Sequence, residues 1–130
     1  MLVIDASVAL SAVLTRDGFG PIERHDLVAP PLLWSESLST LREHEWRGEI
    51  SRAQADASLA ALMAAPVARR APRALYVEAW RVASQLGWAK TYDAEYVALA
   101  RLLRCRLLTR DDRLRRGAGR LVRVIGPLEL

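Results

Sequence analysis

At 130 residues, of which 52% are apolar, the chain is long enough for one domain with its own core and too apolar for disorder. Its single Cys105 excludes an internal disulfide, and its Cys and His residues lack zinc-ligand spacing. The net charge of +4 hides an asymmetry: residues 1–65 carry five Arg against nine Asp and Glu, residues 66–130 fourteen Arg and Lys against six.

In chain order, Leu2 to Ile4 form a short buried strand, and Ala6 to Leu14 follow with helical spacing. This opening apolar run is short, lacks a basic leader and carries Asp5. It is neither a signal peptide nor a membrane span, so a cytoplasmic location is expected. Thr15 to Gly20 is a loop, and Leu27 to Ala29 a second strand halted by Pro30 and Pro31. Pro31 fits the first turn of a helix that runs to Arg47, with Gly48 as its stop. Ser51 is placed to cap a helix over Arg52 to Ala65, with Leu59, Leu62 and Met63 on its apolar face, and Pro66 ends it. Arg73 to Leu86 and Tyr92 to Arg104 are two further helices separated by Gly87. Arg106 to Thr109 and Leu121 to Ile125 are the last strands, joined by a basic loop containing Gly117 and Gly119. Strands alternating with helices predict a parallel sheet covered on both faces, whose ligands collect beyond the carboxyl ends of the strands.

Four carboxylates fall where such a fold converges. Asp5 ends the first strand, Glu36 lies in the helical stretch PPLLWSESLSTL, Asp93 opens KTYDAEYVALARLL, and Asp111 follows the strand CRLLT. Each has a local structural reading as well. Asp5 suits a helix N-cap, Glu36 an exposed flank, Asp93 the first turn of a helix dipole, and Asp111 or Asp112 a turn or cap. Their coincidence at one predicted edge points to a divalent-cation site of oxygen ligands, suited to magnesium or manganese. Nine of the cations lie between Arg101 and Arg123, which suits a polyanionic substrate or, more plainly, a solvated surface. His25 and His44 read as surface residues, and neither they nor Cys105 belong to a nucleophile motif.

The ordered blocks VIDASV, LLWSESLSTL, TYDAEYVALA and LLTRDDRL resemble the PIN-domain family, specifically its small VapC-type toxins, over essentially the whole chain. The resemblance implies a single domain over residues 1–130, a three-layer α/β/α sandwich around a short parallel sheet of four or five strands. It implies Asp5, Glu36, Asp93 and Asp111 as catalytic and metal-binding residues for Mg²⁺ or Mn²⁺. Ser7 and Thr109 are the matching polar helpers. Asp111 is preferred to Asp112 because the family acid stands two residues after a Thr, and Asp112 is left as a second-shell or substitute ligand. Glu95, two positions past Asp93, is expected to face away from it.

The activity so implied is endoribonuclease cleavage of single-stranded or structured RNA, such as tRNA or an rRNA loop, by the toxin of a toxin–antitoxin pair. Arg110, Arg113, Arg115 and Arg116 are candidate RNA contacts, with Arg69, Arg70, Arg73 and Arg120 as further backbone contacts. Trp46, Trp80, Trp88 and Tyr92 suit either base stacking or core and interface packing. The implied partners are a cognate antitoxin and a second copy of the chain. Leu38, Leu41, Leu59 and Leu62 offer either an antitoxin groove or ordinary packing. Two alternatives share the fold: a noncatalytic RNA-binding or assembly module, and a DNA-directed nuclease. Divalent-metal binding separates the first from an enzyme, and matched RNA and DNA substrates separate the second.

Overall fold

The computed structural model describes residues 1–130. Its centre is β1 (Leu2–Ile4), a fully buried LVI segment whose both faces are covered. β1 pairs in parallel with β2 (Leu27–Ala29) on one side and β4 (Arg106–Leu108) on the other. The edges are β3 (Ala68–Arg69) beside β2 and β5 (Val124–Ile125) beside β4, giving the order β3-β2-β1-β4-β5 with every pair parallel. Strands this short and apolar persist because helices bury them from both sides.

The helices follow from the crossovers that a parallel sheet requires. α1 (Ala6–Leu14), α2 (Leu32–Trp46) and α3 (Arg52–Met63) pack on one another, and α4 (Leu75–Leu86) packs along α5 (Tyr92–Leu103), which also lies on β1 and β4. α5 is the most enclosed, with every residue from Ala94 to Ala100 buried. Its small residues let it lie close to the sheet, while Leu99 and Tyr96 fill the remaining space. One apolar core runs through both layers, which makes the fold the expected α/β/α sandwich. No helix is long and apolar enough to cross a membrane.

Caps set the boundaries much as the residues demand. Ser51 Oγ accepts the Gln54 N–H at 3.1 Å, and Gly87 closes α4 in the left-handed region at φ 70°. Arg104 closes α5 with φ 54°, uncommon for a residue with a Cβ. α2 begins at Leu32 and α4 at Leu75, one and two residues inside the expected starts. Two departures are larger. The expected basic loop is mostly a helix, α6 (Asp112–Ala118): Asp111 caps it, and Leu114 and Ala118, one turn apart, are buried beneath its arginines. The last strand shrinks accordingly to Val124–Ile125. β3 was not expected, because its two residues are exposed and carry no apolar signal; backbone pairing to Val28 and Ala29 defines it.

Candidate active site

The order of the sheet reverses between β1 and β4, where the chain leaves β1 toward β2 and returns from β3 to the opposite side. Such a switch point opens a crevice at the carboxyl edge of the sheet. Asp5 and Thr109, the residues just past β1 and β4, meet there, with the Asp5 N–H donating to Leu108 O at 3.3 Å.

Asp5 is only 4% exposed and is held on three sides. Ser7 Oγ donates to its Oδ1 at 2.6 Å, the Val8 N–H to the same oxygen at 3.2 Å, and Thr109 Oγ1 to Oδ2 at 2.5 Å. Asp5 therefore caps α1 while standing at the crevice. Both hydroxyls are oriented by backbone donors of the loop that follows β4: Arg110 N–H to Ser7 at 3.0 Å and Asp111 N–H to Thr109 at 3.0 Å. Each hydroxyl accepts from the backbone and so spends its own proton on the carboxylate. This locks the ends of β1 and β4 to each other through one acid.

Glu36 reaches the crevice from α2, where Tyr96 Oη of α5 donates to its Oε1 at 2.5 Å. Tyr96 is 1% exposed and was missed in the sequence, although it stands one helical turn after Asp93 on the same face. Asp93 lies exposed on the cleft wall in the first turn of α5, and Asp111 caps α6 by accepting the Arg113 N–H at 2.9 Å. Glu36, Asp93 and Asp111 line one cleft of about 580 Å³ together with Trp88, Lys90 and Arg113. Asp5 is buried beside it.

The electrostatics tie the four acids together. Burial is the largest cause of the raised pKa of Asp5, against which the Ser7, Thr109 and Val8 hydrogen bonds work; the charge of Asp93 adds to the rise. Glu36 is raised by burial and by Asp93 and Asp5, and lowered by Tyr96. Asp93 is raised by partial desolvation and by Asp111, with Arg113 opposing. Burial and the Glu36 carboxylate push the Tyr96 phenol well above its ordinary value. These carboxylates thus raise one another's cost of ionisation, as a cluster awaiting positive charge does. No three of them are arranged to hold a metal ion as they stand. The donor set nevertheless fits a hard divalent cation, being all carboxylate and hydroxyl oxygen.

The remaining expected residues divide. Arg113 lines the cleft, its Nε 3.7 Å from Asp111. Arg115 instead pairs with Glu129, which draws it toward the C-terminal segment. The Arg110 side chain lines a separate cavity of about 240 Å³ against α1. Arg116 and Asp112 are exposed on α6. Glu95 is 9% exposed, and burial and the Glu36 charge raise its pKa, so it faces protein rather than open solvent. His25 and His44 are half-buried, His44 beside Glu49 and His25 beside Arg24, and Cys105 is a half-buried free thiol. Of the four aromatics, only Trp88 is substantially covered; Trp46, Trp80 and Tyr92 are exposed.

Comparison with known proteins identifies the family. The PIN domain family model matches residues 2–120. Ribonuclease VapC9 of Mycobacterium tuberculosis and a VapC ribonuclease of Mycobacterium bovis are each 37% identical over 116 residues, covering 88% of both chains. The crystal structure of PAE2754 from Pyrobaculum aerophilum superposes with a TM-score of 0.74 at 25% identity, covering 98% of this chain and 91% of that one. A toxin–antitoxin complex from Klebsiella pneumoniae gives 0.69 at 16% identity, with 98% of each chain covered. By its sequence and its sheet order, the chain belongs to the PIN-domain family, in its VapC-like group.

Proposed function

We propose that the protein is a divalent-metal-dependent endoribonuclease, the toxin of a toxin–antitoxin pair, with Asp5, Glu36, Asp93 and Asp111 as its catalytic carboxylates. One observation carries the reading: four acids from four separate elements gather at the switch point of the sheet, and the pKa values of Asp5, Glu36 and Asp93 are raised by burial and by the charges of their acidic neighbours. Kinship with VapC ribonucleases supplies the substrate class.

Asp5, Asp93, Glu36 and Asp111 would hold Mg²⁺ or Mn²⁺. A cation there supplies a Lewis acid for the phosphate oxygens and makes water a better nucleophile. The protein's own part is orientation. Asp5 is fixed by Ser7 and Thr109 before any ligand arrives, so little ordering is left for the bound state. Glu36 lines the cleft and is steadied through Oε1 by Tyr96. Asp93 and Asp111 line the same cleft as Arg113, where a phosphodiester would meet all three.

An antitoxin and a second copy of the chain are the proposed protein partners. Leu38 and Leu59, 40% and 41% exposed between α2 and α3, offer the antitoxin apolar contacts, whereas Leu41 and Leu62 are committed to the core.

The test is hydrolysis of a single-stranded RNA and its matched DNA by antitoxin-free protein, with Mg²⁺, Mn²⁺ or EDTA. Metal-dependent cleavage of RNA alone supports the proposal. Binding without cleavage in either metal points to a noncatalytic module, and preference for DNA to a different nuclease.

A further inference from the structure

The chain contains one lysine among 19 cationic residues, and it stands in the cleft. Lys90 lies in the five-residue connection between α4 and α5, lines the cleft with Glu36, Asp93 and Asp111, and takes part in none of the molecule's ion pairs. Arg113, the other cation there, is partly neutralised by Asp111 at 3.7 Å. Two residues past Lys90, Tyr92 lines the same cleft with 56% of its surface exposed. An unpaired cation and an uncovered aromatic ring beside three cleft carboxylates have no evident structural duty.

The segment that leads to them is tied to its neighbours. Gly87 turns the chain at φ 70°, and the Trp88 N–H returns to Ala83 O at 2.8 Å. The Trp88 indole packs on α6, where a Cβ at Gly117 would stand 3.1 Å from its ring. The wall is thus tied both to α4 and to the helix capped by Asp111.

Resting on the ribonuclease reading and deepening it, we propose that this wall binds an unpaired ribonucleotide of the substrate: Tyr92 stacks on its base, and Lys90 with Arg113 holds a backbone phosphate. A ring offers its face only to a base free of its own helix, so the wall selects unpaired RNA and tolerates any base. Lysine suits the phosphate because its ammonium is a point charge that imposes no planar bidentate geometry. The position also answers an electrostatic need, since the four acids would otherwise repel the strand they cleave.

The test uses full-length Asp93→Asn protein, so that RNA survives, and fluorescein-labelled single-stranded RNA read by anisotropy across a salt series. Tyr92→Ala should weaken binding by about five- to a hundred-fold, with Tyr92→Phe restoring it. A blunt-ended RNA duplex, which offers only paired bases, should show no such loss. Lys90→Gln should flatten the slope of log affinity against log salt by about 0.7, and Lys90→Arg should preserve it. Trp46→Ala, an exposed aromatic ten residues along α2 from Glu36, controls for a general surface effect. In the Asp93-containing enzyme the same Tyr92 and Lys90 changes should raise KM more than they lower kcat. Unchanged affinity in Tyr92→Ala, or an unchanged salt slope in Lys90→Gln, overturns the proposal even if the wild type cleaves RNA. The expected binding losses in a protein that never cleaves would uphold the wall and sink the nuclease.

Discussion

Thr109→Val isolates one atom on which the site depends. Valine has the shape of threonine, so the 2%-exposed pocket keeps its packing and loses only Oγ1. That oxygen donates to the Asp5 carboxylate at 2.5 Å and accepts the Asp111 N–H at 3.0 Å. A hydrogen bond to a charged group contributes about 1.5–3 kcal/mol and a neutral one about 1 kcal/mol. The half-buried Asp111 amide can recruit water, so the expected loss is about 2–3 kcal/mol at neutral pH. For a domain of this size that lowers Tm by roughly 8–12 °C. The cost should depend on pH. Thr109 lowers the pKa of Asp5 while burial raises it, so losing the hydroxyl raises it further. A carboxyl with a raised folded-state pKa favours folding most below the unfolded value, near pH 4, and loses that advantage as pH climbs through the folded value. The gap between wild type and variant should therefore be small at pH 4 and full at pH 8. Circular-dichroism melting in EDTA reads it, with Thr109→Ser as the hydroxyl-retaining control. An equal gap at both pH values would refute the argument that Thr109 acts through the ionised Asp5.

Other expectations follow from the same contacts. In EDTA at pH 8, Asp93→Asn should melt a few degrees above wild type, because it removes a carboxylate whose ionisation burial and Asp111 oppose; near pH 4 the two should coincide. Mn²⁺ at a hundred times its Kd should stabilise wild type by about 2.7 kcal/mol and Asp93→Asn far less, as thermal shift measures directly. Tyr96→Phe removes the donor to Glu36 and should lower kcat/KM about 10- to 100-fold, with the far-ultraviolet spectrum unchanged; full activity would dismiss Tyr96 as a positioning residue. Ser37 Oγ is buried in α2 without a partner, so Ser37→Ala should raise stability by about 1 kcal/mol, and a lower Tm would mean the hydroxyl has an undetected role.

The acids were legible because each sits beside a local signal. Asp5 and Asp111 follow apolar strands, and Asp93 opens a helix whose apolar run is long. Tyr96 was not, since its meaning depends on Glu36, 60 residues away, and a tyrosine in a buried helix reads as core. α6 was hidden by Gly117 and Gly119, which read as breakers although Gly117 is where Trp88 packs. Charge alone placed Arg115 among the RNA contacts, whereas Glu129 claims it through a chain reversal that no local pattern announces. Lys90 drew no notice because a cation next to a helix start is ordinary until the cleft is seen around it.

The most direct measurement is mapping of RNA ends after total cellular RNA is incubated with antitoxin-free, folded wild type or Asp93→Asn, in Mg²⁺ or Mn²⁺ and in EDTA. The account predicts new ends at discrete sites with wild type and metal, and none with EDTA or the variant. Discrete cleavage that survives in Asp93→Asn or in EDTA, or no cleavage by wild type in either metal, would contradict it.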